Sequence, residues 1–351
     1  MINRRGVEEI EFSQNYNFFY DQLEKANLFL QLVIDTRKLP MENRRVEWLF
    51  QHPLSDGGTF TGVADLTAKY GVVPASAMPE NFSSNNTSRL SSLIGLKLKE
   101  FGLELRKGPK AGPAALETRK REMLGEIYKI LARTLGAPPE KFAWKAPDGT
   151  TAEYTPLEFY RKWLGNDLQN DYVMLMNDPS RPYHKLYEID YDRHMYDGHN
   201  WKYVNLPVED IKKMAISSIK DSTMMYFSCD VGKFLDRERG MLDPGNYDYG
   251  ALLGTGFGMD KADRIRTFAS ASSHAMTLKA VDLDAEGKPV KWMVENSWGA
   301  DSGHKGNLIM TDKWFDEYMF RLVAEKRYVP QRILDMLKQK PEILPAWDPL
   351  F

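Results

Sequence analysis

Only one cysteine, Cys229, occurs in the 351 residues, so no disulfide can form within the chain, and a search for a thiol finds a single candidate. No apolar run approaches the roughly 20 residues that a membrane-spanning helix requires. Charge of one sign is also lacking: 47 basic residues stand against 49 acidic ones. That balance leaves no global field for nucleic acid or an anionic membrane surface, and neither is expected as a partner. Met1 to Glu11 carry charges and no apolar signal core, which points to a cytoplasmic protein. What is present is 42% hydrophobic residues, enough to bury a large core in one globular unit or two closely packed lobes.

Phe18, Phe19, Leu23, Ala26, Phe29, Leu30 and Val33 recur at three- and four-residue steps, a helical stripe that Ser13 is suited to cap. Ser55 to Thr59 is a turn leading into a second helix that ends at Tyr70, with Gly71 as its C-terminal cap. Val72, Val73 and Pro74 restart an extended path. Asn81 to Ser92 reads as a loop, followed by charged helices near Leu93 to Arg106 and Ala115 to Leu135. Asp148 and Gly149 lie within a stretch suited to a short hairpin, and Pro156 to Trp163 reads as helix.

After about Tyr187 the pattern changes to short apolar or alternating runs: Met224 to Cys229, Ala275 to Val281, Val290 to Glu295 and Asn307 to Met310. Asp284 to Lys288 has the composition of a hairpin connection, which sets His274 and Asn296 on adjacent strands. A histidine before a strand is by itself most often structural. Here Ser272, Ser273 and Ala275 leave the ring room, and Trp298 lies two positions after Asn296, where an indole can shield an Asn–His hydrogen bond. His and Asn in this order are two parts of a Cys-His-Asn set, in which a thiolate attacks a carbonyl, an imidazole protonates the leaving amine and an amide orients the ring.

These motifs carry a resemblance. Phe12 to Tyr16, Leu23 to Asn27, Asp56 to Gly58, Tyr70 to Pro74, Cys229 to Lys233, Tyr247 to Gly250, His274 to Met276, Glu295 to Gly299 and Leu344 to Pro349 follow one another as in the bleomycin hydrolase and aminopeptidase C family of papain-like cysteine peptidases. The resemblance implies an α+β papain-like fold of two lobes with a helical insertion, truncated at its N-terminal side. It divides the chain into the rest of a helical left lobe (1–80), the insertion (81–187), a β-rich right lobe (188–326) and a C-terminal arm (327–351).

By that resemblance His274 is the catalytic histidine and Asn296 its orienting asparagine, while Gly57 and Gly58 bracket substrate backbone, where absent side chains permit close approach. The arm implies a substrate contact at the chain end, Phe351, whose carboxylate would meet a free amine and make the protein an aminopeptidase. Peptides are the expected substrates, no cofactor or metal is implied, and the family's hexameric ring makes a homo-oligomer the expected assembly. The arm is shorter and bulkier than is usual in the family, which favours an oligoendopeptidase-like alternative.

The family's nucleophile lies upstream of Phe12 in a Cys-Trp motif that nothing here matches, and Met1 to Arg5 resemble the tail of its helix. The chain alone is therefore expected to be inactive, and less stable than one with that segment restored. Cys229 ends an apolar run and reads as a buried, unreactive thiol. A catalytically dead homologue that binds peptides or assembles with active subunits, and a truncated product without a role of its own, stand beside the peptidase reading. His184, His194 and His199 share a segment with several tyrosines but fit no compact zinc spacing, so aromatic packing is expected there.

Overall fold

The computed structural model describes residues 10–108 and 112–351; the expectation for Met1 to Arg5 lies outside them. Two compact units are present. One comprises the described residues up to 170 together with 193–199, the other 171–192 and 200–351.

The first unit is mainly helical: α1 (Gln14–Asp35), α2 (Arg44–Gln51), α3 (Phe60–Tyr70), α4 (Thr87–Lys107), α5 (Pro113–Leu135) and α6 (Pro156–Phe159), with a hairpin of β1 (Phe142–Lys145) and β2 (Thr151–Tyr154). Ser13 caps α1 as its spacing predicts, its Oγ accepting from the Tyr16 amide at 3.0 Å. Phe19, Ala26, Leu30 and Val33 on α1 are fully buried. Ile94 and Leu98 on α4 and Met123, Ile127 and Leu131 on α5 are fully buried as well, the apolar steps that hold two charged helices against a core. Their outward faces carry exposed pairs such as Arg119 with Glu104 at 2.6 Å. α4 starts at Thr87, six positions before the expected start, because the Asn81 side chain already closes the preceding turn by accepting from the Ser83 and Ser84 amides.

Gly71 ends α3 at φ +73 and ψ −158, a region that side chains rarely enter. A Cβ there would lie 2.3 Å from the backbone of Pro156. Gly71→Ala is expected to lower stability by about 3 kcal/mol, strain and overpacking adding together, as read from the denaturant midpoint.

The second unit is built on one eleven-stranded sheet among the described residues, ordered β13-β4-β5-β3-β12-β6-β9-β10-β11-β8-β7. Its strands are β3 (Tyr172–Met176), β4 (Lys185–Ile189), β5 (Lys202–Asn205), β6 (Met225–Cys229), β7 (Leu235–Asp236), β8 (Met241–Leu242), β9 (His274–Leu283), β10 (Pro289–Glu295), β11 (Asn307–Thr311), β12 (Met319–Glu325) and β13 (Glu342–Leu344). The helices are α7 (Val208–Lys220), α8 (Tyr249–Leu253), α9 (Lys261–Arg266), α10 (Asp312–Tyr318) and α11 (Gln331–Leu334). Trp292, Phe227, Phe315, Met310 and Leu322 lie in its apolar core.

The large sheet begins at Tyr172 rather than near Tyr187. The run Tyr172 to Met176 pairs antiparallel with β12, which is almost wholly buried, so this segment belongs with the sheet and not with the helical stretch before it. Pro156 to Trp163 also differs from a plain helix. It makes one α turn, widens to a π turn over Tyr160–Leu164, and stops at Gly165 in the left-handed region.

Candidate active site

β9 and β10 pair antiparallel through the Asp284–Lys288 turn, as their composition predicts. His274 opens β9, and Asn296 directly follows β10 with its amide held by the Gly306 carbonyl at 2.9 Å. The two side chains meet, His274 Nε2 lying 2.8 Å from Asn296 Oδ1. The same oxygen accepts from the Ser297 amide at 2.8 Å, so it is the acceptor face of the amide. His274 Nε2 must then carry the proton, and Nδ1 keeps its lone pair. Trp298 lies beside the ring with centroids 5.2 Å apart, and the Arg237 guanidinium sits 4.9 Å from the indole centroid. His274 and Asn296 are half-buried: accessible, yet sheltered enough for the bond to hold its geometry.

Cys229 is the cross-strand partner of His274 in the β6–β9 ladder. It is fully buried, and desolvation, reinforced by Asp230, pushes its thiol well above the ordinary range. A thiol so placed is protonated and sequestered at neutral pH.

Gly57 and Gly58 belong to the first unit, whereas His274, Asn296 and Phe351 belong to the second. Both glycines are exposed, in a segment with no helix, turn or bend between Leu54 and Thr59. The Lys25 ammonium reaches back from α1 to the Ser55 carbonyl at 3.0 Å and the Gly57 carbonyl at 2.6 Å, and Gln22 also donates to Ser55 at 2.9 Å. Lys25 pairs in turn with Asp21 at 2.7 Å. Burial would raise the Asp21 carboxyl pKa, but Lys25 and His194 outweigh it and hold it at about 2.

His194 Nδ1 stands 2.6 Å from Asp21, and its Nε2 accepts from the Thr59 amide at 3.2 Å. Gly62 faces the imidazole so closely that a Cβ there would fall 2.2 Å from the ring. Asp21, His194 and Gly58 line a cavity of about 240 Å³ together with Phe18, Val63 and Leu66. Sequence reasoning missed this cluster, although Asp21 and Lys25, one turn apart beside an apolar stripe, are the kind of signal that points to it. His199 goes elsewhere, to Asp65 at 2.7 Å. No three His, Cys, Asp or Glu among the described residues come together as a metal site.

The arm is docked rather than loose. β13 pairs parallel with β4, and Leu350 is fully buried. Asp348 takes Arg181 at 2.8 Å, and the Leu350 carbonyl accepts from Arg321. Phe351 is partly exposed, its amide held by the Asp348 carbonyl at 3.0 Å.

Residues 1–351 match the peptidase C1-like family throughout. The chain belongs to that family. It is 39% identical over 366 residues to bleomycin hydrolase from Homo sapiens, covering 99% of this chain and 80% of that protein. Aminopeptidase C from Lactobacillus delbrueckii subsp. lactis is 37% identical over 356 residues, covering 98% and 79%. Among solved structures, that of pepw from Lactobacillus rhamnosis HN001 (DR20) superposes with a TM-score of 0.94 at 38% identity, over 99% of this chain and 80% of that one. The α+β architecture is thus papain-like, and the chain is a member of a cysteine-type aminopeptidase family of hydrolases. No helix among the described residues is long and apolar enough to cross a membrane.

Proposed function

We propose that the chain carries the proton-handling half of a cysteine aminopeptidase, with His274 as general acid and base and Asn296 as the group that fixes its tautomer. The observation that carries this is the 2.8 Å His274–Asn296 bond, which commits Nε2 and leaves Nδ1 for a thiol proton. In the reaction a thiolate adds to the substrate carbonyl, and His274 Nδ1–H protonates the leaving amine as the C–N bond breaks. Water then cleaves the thioester and restores the thiol. Gly57 and Gly58 take peptide main chain. The end of the arm, Phe351, meets the substrate amine; its docking through Asp348 and Leu350 favours a fixed exopeptidase stop over internal cleavage. A homo-oligomer, hexameric by resemblance, in the cytoplasm completes the reading.

The reading has a second part. Cys229 is buried with a raised pKa, so residues 1–351 by themselves bind peptide without turning it over. The test pairs the intact mass of the protein from its source cells with hydrolysis of a fluorogenic aminoacyl amide. If the mass exceeds 40.4 kDa, thiol-dependent hydrolysis is the expected result. Hydrolysis at 40.4 kDa would overturn the second part. Absence of hydrolysis at that mass would favour the peptide-binding homologue over the peptidase.

A further inference from the structure

The segment that presents Gly57 and Gly58 has no ladder partner of its own. Lys25 collects the Ser55 and Gly57 carbonyls on one ammonium, at 3.0 and 2.6 Å, so those two groups are committed to α1. Asp56 and Gly58 alternate with them along the segment. No hydrogen bond among the described residues engages the main chain of either. A segment whose alternate main-chain groups are pinned while the others stay free can accept a peptide by main-chain pairing.

Two more contacts set the far end. The Thr59 amide donates to His194 Nε2 at 3.2 Å, and Asp21 stands 2.6 Å from Nδ1 of the same ring. Asp21 also balances Lys25 at 2.7 Å, so one buried carboxylate ties the cation at the start of the segment to the imidazole at its end. Asp21, Lys25 and His194 are each less than one tenth exposed. Partners so enclosed hold their geometry where water-exposed ones would not.

We propose that Asp21, Lys25 and His194 are positioning residues, a buried acid–base clamp that fixes the main chain of Ser55 to Thr59 and leaves that of Gly58 free to meet peptide. The clamp rests on the proposed peptide-binding role of Gly57 and Gly58. His194 acts only through the segment and touches no reacting atom.

The experiment uses the full chain labelled with ¹⁵N, tetra-alanine as the probe peptide, and the variants His194→Phe, His194→Gln and Lys25→Arg. Amide exchange at Gly57, Gly58 and Thr59 is read without peptide, and affinity from the shift of the Gly58 amide with it. His194→Phe is expected to speed exchange across the segment and weaken tetra-alanine about 10-fold, because the free segment loses its pre-organisation. His194→Gln, which can still accept from Thr59, and Lys25→Arg should stay near wild type. The thermal midpoint of each variant separates loss of the clamp from loss of the fold.

Wild-type exchange rates and affinity in a folded His194→Phe protein would overturn the inference. So would faster exchange confined to residues outside the segment. If the wild type shows no shift at Gly58 with peptide, the peptide-binding reading fails while the exchange rates still decide whether the clamp exists.

Discussion

Native protein exposed to an epoxide that alkylates active-site thiols is expected to keep its mass, while the unfolded chain takes up one label at Cys229. Two effects multiply. The thiolate is the attacking species, and desolvation together with Asp230 raises the Cys229 pKa well above its ordinary value, so each unit of that rise removes a further factor of about 10 from the reactive form. Access is the second effect, since the residue is fully buried within the core of the β6–β9 region and must open before a reagent can reach it. A local opening of about 4 kcal/mol by itself slows labelling about 10³-fold. The check is intact mass against time, in buffer and in denaturant. Stoichiometric labelling of the folded protein at neutral pH would mean that Cys229, beside His274 in the ladder, is available after all.

Arg321→Met is expected to cost about 3–5 kcal/mol, the ordinary consequence of leaving one member of a buried ion pair without its partner. Arg321 is 3% exposed on β12 and lies 3.1 Å from Asp192, itself buried. Its guanidinium also stacks 4.7 Å from the Trp201 centroid and donates to the Leu350 carbonyl. One side chain thus holds both a carboxylate of the segment after β4 and the last turn of the arm. The variant should unfold at lower denaturant, and its arm should become a carboxypeptidase substrate in the folded state. Removing both charges, Arg321→Met with Asp192→Leu, should recover much of the stability and leave the arm loose. A single variant within 1 kcal/mol of wild type would show the pair to be incidental.

Much of this was legible in the chain because local signals and packing agree. Ser13, Gly71 and the Asp284–Lys288 turn each have one structural use, and each is found in it. His274 and Asn296 could be paired from spacing, since a hairpin fixes which residues lie side by side. Other features were illegible for a physical reason. Tyr172 to Met176 is too short to declare its period and becomes a strand only because β12 lies next to it. His194 meets Thr59 from 135 positions away, and nothing in the local pattern of either predicts the other. The anchoring of the arm depends on Arg321, Arg181 and β4, all outside it in sequence.

β13 occupies the last position of the large sheet, where an open row of main-chain donors and acceptors would invite strands from other molecules. It is three residues long and lies between Pro341 and Pro345, which lack the amide that a further ladder would need. The longer β4 behind it is already paired. The arm therefore also keeps the sheet from growing, so its loss would turn an interior strand into a sticky margin and make aggregation, before any change in chemistry, the first symptom of a shortened chain.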